Sequence, residues 1–136
     1  MKIVRIAGFG PLVRDVAASQ RFYRDTLGIP FEMQQGDYIA TDRFPGCNHF
    51  GLWPLADAAR SCFGGEEWPS DLPVPHAGIE YEMESPEAVA EGERELEAAG
   101  HRILRRTAPE PWGQITARLL SPEGLLVGLS YAPWAH

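Results

Sequence analysis

The sequence predicts an α+β fold in which two tandem βαβββ modules share one core. The first observation is an internal repeat: residues 6–9 read Ile-Ala-Gly-Phe and residues 76–79 read His-Ala-Gly-Ile, each within a short strand pattern. The second is that each of these strands is followed by one helical pattern and then by three strand-like segments. Half of a 136-residue chain is too small to bury both faces of its own sheet. We therefore expect a single domain covering residues 1–136.

Both predicted helices have recognisable ends. Asp15 is the expected N-cap of the first helix, and Gly28 supplies the left-handed residue that ends it. In the second half Ser85 is the N-cap, Pro86 suits the first helical position, and Gly100 ends the helix. The residues expected on the inner faces are Phe22, Tyr23, Thr26 and Leu27 in the first helix and Val89, Gly92, Leu96 and Ala99 in the second.

Six strand-like segments complete the two modules. They span about 31–34, 37–41 and 48–53 in the first half and about 101–106, 114–120 and 125–131 in the second. Gly36 and the run Ser121-Pro122-Glu123-Gly124 mark turns between them. We expect the first module at about 1–57 and the second at about 76–136, joined by a Gly/Pro-rich linker at about 58–75.

Composition and charge exclude several classes of protein. With 44% hydrophobic and 23% charged residues, the chain is able to bury a core, which excludes a disordered tail. No apolar run approaches the ~20 residues of a membrane span, and two cysteines are too few for a disulfide scaffold. The net charge of −7 disfavours nucleic acid as a partner. The start of the chain has no signal-peptide pattern, so we expect a cytoplasmic protein with Cys47 and Cys62 reduced.

Two stretches of the chain resemble a known family. The run from Asp15 to Gly28, with Phe22-Tyr23-Arg24-Asp25-Thr26-Leu27 at its end, is similar to the first helix of the vicinal oxygen chelate superfamily. That superfamily includes glyoxalase I, the extradiol dioxygenases and bleomycin-resistance proteins. The run Glu110-Pro111-Trp112-Gly113-Gln114, followed by Ser121-Pro122-Glu123-Gly124, resembles the bleomycin-resistance branch, except that Ser121 stands where Asp is usual. The resemblance implies modules whose curved mixed sheets surround a cavity, usually within a homodimer.

The resemblance also implies where a metal would bind. Metal-dependent members carry one ligand on the first and one on the last strand of each module, and these positions correspond to Gly8, Gly51, Gly78 and Gly128. Glycine has no side chain with which to coordinate a metal, so we expect no metal and no other cofactor. Side-chain alternation places these glycines toward the cavity, where they would form a wide, low floor under a flat or bulky ligand. The alternative is that they mark ordinary strand bends.

Two further groups of residues could bind a metal or take part in catalysis. Cys47, His49, Cys62 and His76 are potential metal ligands, but their spacing matches no zinc pattern and each residue has a simpler structural explanation. Glu80 should point into the cavity and, with His76 as its partner, is the candidate catalytic base. Alternatively, Glu80 pairs with a base such as Arg118. Neither a Gly-x-Ser-x-Gly nucleophile motif nor a phosphate-binding glycine loop is present.

Aromatic side chains are the stronger functional signal. Trp53 shares the side-chain parity of Gly51, and Trp112 occupies the position that resembles the bleomycin-resistance Trp. Large rings suit the stacking of planar ligands, although they also close cores and dimer interfaces. The residues expected to bind a ligand by stacking, by polar contact or as the cavity floor are Trp53, Trp112, His49, His76, Glu80, Tyr38, Ser130, Gly8, Gly51, Gly78 and Gly128.

These observations favour a metal-free protein that binds, and sequesters, an aromatic or antibiotic-like small molecule, as in antibiotic resistance. Two alternatives stay open. One is an enzyme of the same superfamily, of the lyase, isomerase or dioxygenase-like kind, that uses Glu80 and His76. The other is a structural or regulatory dimer with a vestigial cavity. We also expect a homodimer, with the N-terminal strand at residues 2–12 near the contact, because sheet edges need cover.

Overall fold

The computed structural model describes residues 1–136 and contains one curved, unclosed sheet of eight strands. These strands are β1 (Arg5–Val13), β2 (Met33–Gln35), β3 (Tyr38–Thr41), β4 (Phe50–Pro54), β5 (Ala77–Glu82), β6 (Ile103–Pro109), β7 (Ile115–Leu120) and β8 (Leu126–Tyr131). Their order across the sheet is β2-β3-β4-β1-β5-β8-β7-β6. β1 runs parallel to β4 and β5 runs parallel to β8, while β1 and β5 pair antiparallel at the centre. The predicted α+β fold with a βαβββ repeat is confirmed.

The helices are α1 (Val16–Gln20), which continues as a π-helical segment (Arg21–Thr26), α2 (Leu55–Phe63) and α3 (Pro86–Ala98); a 3₁₀ turn follows at Pro133–Ala135. Both predicted N-caps are confirmed: Asp15 accepts a hydrogen bond from the backbone of Ala18, and Ser85 accepts one from Ala88, each at 3.0 Å. None of these helices has the length and apolar character needed to cross a membrane.

The expected inner face of the first helix needs correction. Tyr23 does pack against the core, but Phe22 and Leu27 are 52% and 54% exposed. The reason is the π-helical segment, in which the amide of Leu27 donates to the carbonyl of Phe22, five residues earlier. This wider turn rotates the later side chains away from the face that regular helical spacing predicts.

The predicted linker at about 58–75 is also partly wrong, because α2 crosses its start. Leu55, Ala58 and Cys62 recur at helical spacing and are the signal for this helix. Ala58 and Cys62 pack with Leu12 of β1 and Leu126 of β8, so that α2 lies against the sheet rather than outside it. Only the stretch that follows α2 has the irregular conformation expected of a connection.

The core lies on both faces of the sheet. On the convex face, Met83 and Leu129 pack against Val89 of α3, while a second cluster of Val13, Ile39 and Leu52 packs against α1. Alternation along each strand sends the neighbouring residues to the concave face. That face is covered by α2 at one end and is otherwise open to the cavity described below.

Candidate functional site

The concave face of the sheet borders a cavity of about 1290 Å³. Strands of both modules line it, and α2 forms part of its wall. Sites for small organic molecules commonly have volumes of ~300–1,000 Å³. The cavity is therefore large enough for a drug-sized molecule.

Two of the four glycines predicted to form the cavity floor lie beneath the protein's own polar side chains. A Cβ atom at Gly51 would be 2.5 Å from the hydroxyl of Tyr38, and one at Gly128 would be 3.0 Å from Nη1 of Arg118. The expected open floor is therefore absent at these positions. Glycine is needed there because a larger residue would displace a neighbouring Tyr or Arg.

The other two glycines have less crowded surroundings. A Cβ atom at Gly8 would lie 3.2 Å from the backbone oxygen of His49, and one at Gly78 would make only ordinary contact, 3.5 Å from the backbone oxygen of Leu126. Both residues line the cavity, as side-chain alternation predicts. Gly78 is thus the glycine at which the floor is open.

The residues around the cavity do not fit the metal site that the resemblance implies. All four implied positions are glycine, and nowhere in the chain do three or more His, Cys, Asp or Glu side chains form a group able to hold a metal. The alternative set is dispersed as well. Cys62 is buried among apolar residues, which raises the pKa of its thiol to about 11, and the thiol of Cys47 donates to the backbone oxygen of His49.

His76 does not reach the cavity, contrary to its expected place beside Glu80. It precedes β5, is exposed, and uses its backbone oxygen to accept a hydrogen bond from Leu12. Alternation along a strand does not extend to a residue that lies before the strand begins. The candidate pair of Glu80 and His76 is therefore not assembled.

A row of three polar side chains lies in the wall formed by the first module. Nδ1 of His49 is hydrogen bonded to a carboxylate oxygen of Asp42, and its Nε2 is hydrogen bonded to the hydroxyl of Tyr38. Tyr38 projects from β3, and His49 immediately precedes β4, the strand paired with β3. Burial, followed by the charges of Glu80 and Asp42, raises the pKa of the Tyr38 hydroxyl, so Tyr38 is protonated at neutral pH.

A buried charged cluster lies in the part of the cavity wall formed by the second module and α2. Nη2 of Arg118 donates to Glu80 at 3.1 Å and to Glu110 at 3.0 Å, and its Nε donates to the hydroxyl of Ser61 on α2 at 3.0 Å. Arg118 is only 2% exposed. Burial alone would lower the pKa of its guanidinium, but the carboxylates of Glu80 and Glu110 raise that pKa, so Arg118 stays charged. Its Nη1 is left without a protein acceptor.

Arg105 supports this cluster from β6. Its Nη2 lies 3.3 Å from Glu110, its Nε donates to the hydroxyl of Thr116 at 3.0 Å, and its Nη1 donates to the backbone oxygen of Ser61 at 2.8 Å. Glu110, itself 4% exposed, therefore neutralises two arginines. Pairing of this kind is what allows charged groups to be buried.

Gln114 links the buried cluster to the cavity rim. Its amide nitrogen donates to Glu80 at 2.8 Å and to the hydroxyl of Ser130 at 2.6 Å, and its amide oxygen accepts from the indole of Trp112 at 2.7 Å. The interactions of Glu80 with Gln114 and Arg118 match the alternative in which Glu80 pairs with a base. Glu80 is thus a fixed acceptor within a network, not an isolated carboxylate in an apolar pocket.

The two tryptophans expected to stack on a ligand have different environments. The guanidinium of Arg118 lies over the ring of Trp53, 4.8 Å from the ring centre, so one face of this indole is already occupied. Trp112 is 46% exposed and lines the cavity. Trp112 is consequently the ring available to a ligand, whereas Trp53 acts through its contact with Arg118.

Several residues of the site carry no motif that identifies them. Asp42 and Ser61 lie in a loop and in the unpredicted helix α2, and only the folded sheet brings them to His49 and Arg118. Glu110 and Gln114 do stand within the Glu-Pro-Trp-Gly-Gln run, which was a usable signal, but its sequence does not indicate that both side chains turn inward.

The structure is similar to several solved structures over nearly its whole length. One is an NAD-dependent benzaldehyde dehydrogenase from Legionella pneumophila, with a TM-score of 0.62 and 16% identity over 91% of this chain and 96% of that one. A glyoxalase/bleomycin resistance protein/dioxygenase superfamily member from Vibrio splendidus 12B01 has a TM-score of 0.59 and 15% identity, over 94% and 98% of the two chains. The Streptomyces coelicolor methylmalonyl-CoA epimerase has a TM-score of 0.56 and 16% identity, over 97% and 99%. At these identities the similarity establishes the fold alone.

No curated protein of known function matches the chain. A sequence profile, in contrast, covers residues 5–129, nearly all of the chain, including both modules and the buried cluster. That match agrees with the sheet order and with the similar solved structures. The chain belongs to the Glyoxalase/Bleomycin resistance protein/Dioxygenase superfamily.

Proposed function

We propose that this protein binds a small organic molecule that has a planar ring and an oxygen acceptor, and that it does so without a metal at the positions the family uses. The observation that carries the proposal is the open cavity of about 1290 Å³, whose walls present Trp112 and the buried, charged Arg118. An aromatic or antibiotic-like compound is the class of ligand that fits this description, and its sequestration is the proposed role.

Arg118 supports an oxygen acceptor as part of the ligand. Its Nε and Nη2 are held by Ser61, Glu80 and Glu110, which fixes the guanidinium, while Nη1 has no acceptor from the protein. A carboxylate or carbonyl oxygen at Nη1 would complete the hydrogen bonding of a side chain that is almost fully buried. Trp112, held by Gln114, would cover the attached ring.

The two alternatives differ in their support, and the enzyme alternative has at least as much support from the comparisons as sequestration has. The vestigial-cavity alternative expects the cavity to be collapsed, whereas the space here is larger than a typical ligand site. The enzyme alternative relied on Glu80 with His76, and His76 lies outside the cavity. Enzymes are nevertheless present among proteins of this fold, such as methylmalonyl-CoA epimerase. Any catalysis in this chain would need a different set of residues.

Calorimetric titration with 4-nitrobenzoate, a planar ring that carries a carboxylate, tests the proposal. We expect binding that a chelator does not change, and we expect Trp112→Ala to weaken it by about 1–3 kcal/mol because a ring contact is lost. Trp53→Ala should also weaken binding, since it frees Arg118. Trp68→Ala is the control, because Trp68 packs on Phe63 and lies outside the cavity. Affinity unchanged in both cavity variants, or abolished by the chelator, would contradict the proposal.

A further inference from the structure

Tyr38, His49 and Asp42 form a continuous hydrogen-bonded row that ends at the cavity. All three line it, and they belong to β3, to the loop after it, and to the residue that precedes β4. Asp42 accepts from Nδ1 of His49, which places a proton on Nδ1 and leaves the lone pair of Nε2 to accept from the hydroxyl of Tyr38. The row is therefore oriented: its hydrogen bonds run from the tyrosine toward the carboxylate.

This orientation determines what the tyrosine offers to a ligand. Because the Tyr38 proton points toward His49, the remaining lone pairs of the Tyr38 oxygen are acceptors. Burial and two nearby carboxylates raise the pKa of Tyr38, so the hydroxyl keeps its proton until another proton replaces it. An imidazole backed by a carboxylate is the arrangement that serves as a base in other proteins, since the carboxylate stabilises the imidazolium that forms.

We propose that Tyr38, His49 and Asp42 act as a proton-accepting relay, so that the protein deprotonates a weakly acidic O–H, N–H or C–H group of the planar molecule bound in its cavity. In this step the ligand's X–H bond breaks and its proton bonds to the Tyr38 oxygen, while the tyrosine's own proton passes to Nε2 of His49. The bonding electrons stay on X, which becomes an anion, and no other reactant is needed. Tyr38 is then the catalytic residue, with His49 as the terminal base and Asp42 as a positioning residue.

Arg118 is the cavity group that favours the anion this step creates, whereas the carboxylate of Glu80 opposes it. Arg118 lies close enough to affect the pKa of Tyr38, and its Nη1 has no protein acceptor, so it is placed to stabilise an anionic ligand. Asp42 lines the cavity and is more than half exposed, and its carboxylate contacts His49 at the end of the row opposite Tyr38. The positive charge would thus form on His49, next to the carboxylate of Asp42, and the negative charge would form on the ligand. This proposal rests on the proposed ligand-binding function, because the relay acts only on a bound molecule.

The probe 4-nitrophenol tests the relay directly, because its phenolate absorbs visible light and its phenol form does not. At a pH well below its pKa in solution, we expect binding to wild-type protein to raise the phenolate-to-phenol ratio about tenfold, equivalent to one unit of pKa. Tyr38→Phe and His49→Gln should bind the probe but leave the ratio near its value in solution. The matched probe 4-nitroanisole has no acidic proton and should bind wild type and variants alike.

Nitrogen NMR of His49 should show a protonated Nδ1 in wild type, a state that Asp42→Asn should change.

Each outcome separates the relay from ligand binding. If 4-nitrophenol binds and stays neutral, or ionises equally in Tyr38→Phe, the relay is wrong and the binding function stands. If 4-nitrobenzoate binds but 4-nitrophenol does not, the relay is also overturned, since the site then rejects a weak acid. If none of the three probes binds, both proposals are overturned. A His49 proton on Nε2 in the free protein would contradict the orientation of the row.

Discussion

Gly51 sets the position of Tyr38, and through it the whole row that leads to Asp42. The ring of Tyr38 occupies the space that a side chain at position 51 would take, with its hydroxyl 2.5 Å from the place of a Cβ atom. Gly51 and Tyr38 belong to the paired strands β4 and β3. A glycine at a position where the family resemblance implies a metal ligand therefore accommodates a tyrosine instead.

We predict that Gly51→Ala displaces the Tyr38 ring and separates its hydroxyl from His49. Because the added methyl overlaps a ring held in a hydrogen bond, unfolding by denaturant should show a loss of about 1–3 kcal/mol. NMR of His49 should show that the hydrogen bond to Tyr38 is lost. Gly78→Ala is the matched control on the same face of the sheet. Its Cβ would lie 3.5 Å from the backbone oxygen of Leu126, which is an ordinary contact distance. Equal stability of the two variants would show that Tyr38 is not packed over Gly51.

At the scale of single residues, side-chain alternation predicted which face each residue of β5 and β8 would occupy. Glu80 does line the cavity. Gly128 and Ser130 lie on the same face but are covered by Arg118 and Gln114, so the prediction that these two residues contact a ligand is wrong. What alternation did not provide was the identity of the side chains above the glycines. Tyr38 and Arg118 come from neighbouring strands, and their placement depends on strand order and register, which only the fold defines.

At the scale of secondary structure, α2 connects the two modules and also completes the site. It packs Ala58 and Cys62 against Leu12 and Leu126, and it turns Ser61 toward the buried charges. The hydroxyl of Ser61 donates to Glu110 at 2.8 Å and accepts from Arg118 at 3.0 Å. Through these two hydrogen bonds, Ser61 connects α2 to the charged cluster of the second module.

We predict that Ser61→Ala destabilises the protein by about 1–3 kcal/mol, since it leaves a buried Arg118 donor and a Glu110 acceptor with one partner fewer. Thermal and denaturant unfolding will measure this loss. Affinity for 4-nitrobenzoate should fall as well, because Arg118 becomes less firmly held. Ser70→Ala provides the comparison, as Ser70 is exposed in the connection after α2. If Ser61→Ala were as stable as Ser70→Ala, the link between α2 and the cluster would have no energetic importance.

Most elements could be predicted because their signals are local. The caps at Asp15 and Ser85 and the turn at residues 121–124 depend on nearby sequence, and the structure has them where the sequence indicated. Helix α2 was missed because its short apolar pattern precedes a Gly/Pro-rich stretch that dominates the composition of the interval. The π-helical turn after α1 was missed because its hydrogen bonds depend on tertiary packing rather than on residue spacing.

At the scale of the whole molecule, a single chain assembles the complete sheet and both cavity walls. β1 pairs with β5 of its own chain over residues 5–11 and with β4 over residues 9–13. This central strand and the residues before it nevertheless leave apolar side chains exposed, among them Ile6 at 51% and Phe9 at 43%. Ile3 and Val4, just before this strand, are exposed as well. Several exposed apolar side chains in one short stretch favour a site of association.

We therefore predict that the protein is a homodimer and that the apolar side chains of residues 3–9 lie in its interface. Sedimentation velocity at micromolar concentration should give a species of twice the chain mass, and Ile6→Glu should convert it to a monomer, because burying an unpaired carboxylate opposes association. Leu27→Glu introduces the same charge at an equally exposed leucine outside this surface and should remain dimeric. A monomeric wild-type protein would contradict the prediction, whereas a dimer that survives Ile6→Glu would place the interface elsewhere. Because Ile6 does not line the cavity, although its neighbours Ala7 and Phe9 do, ligand affinity should be the same in the monomeric variant. A lower affinity would show that the dimer contact shapes the site.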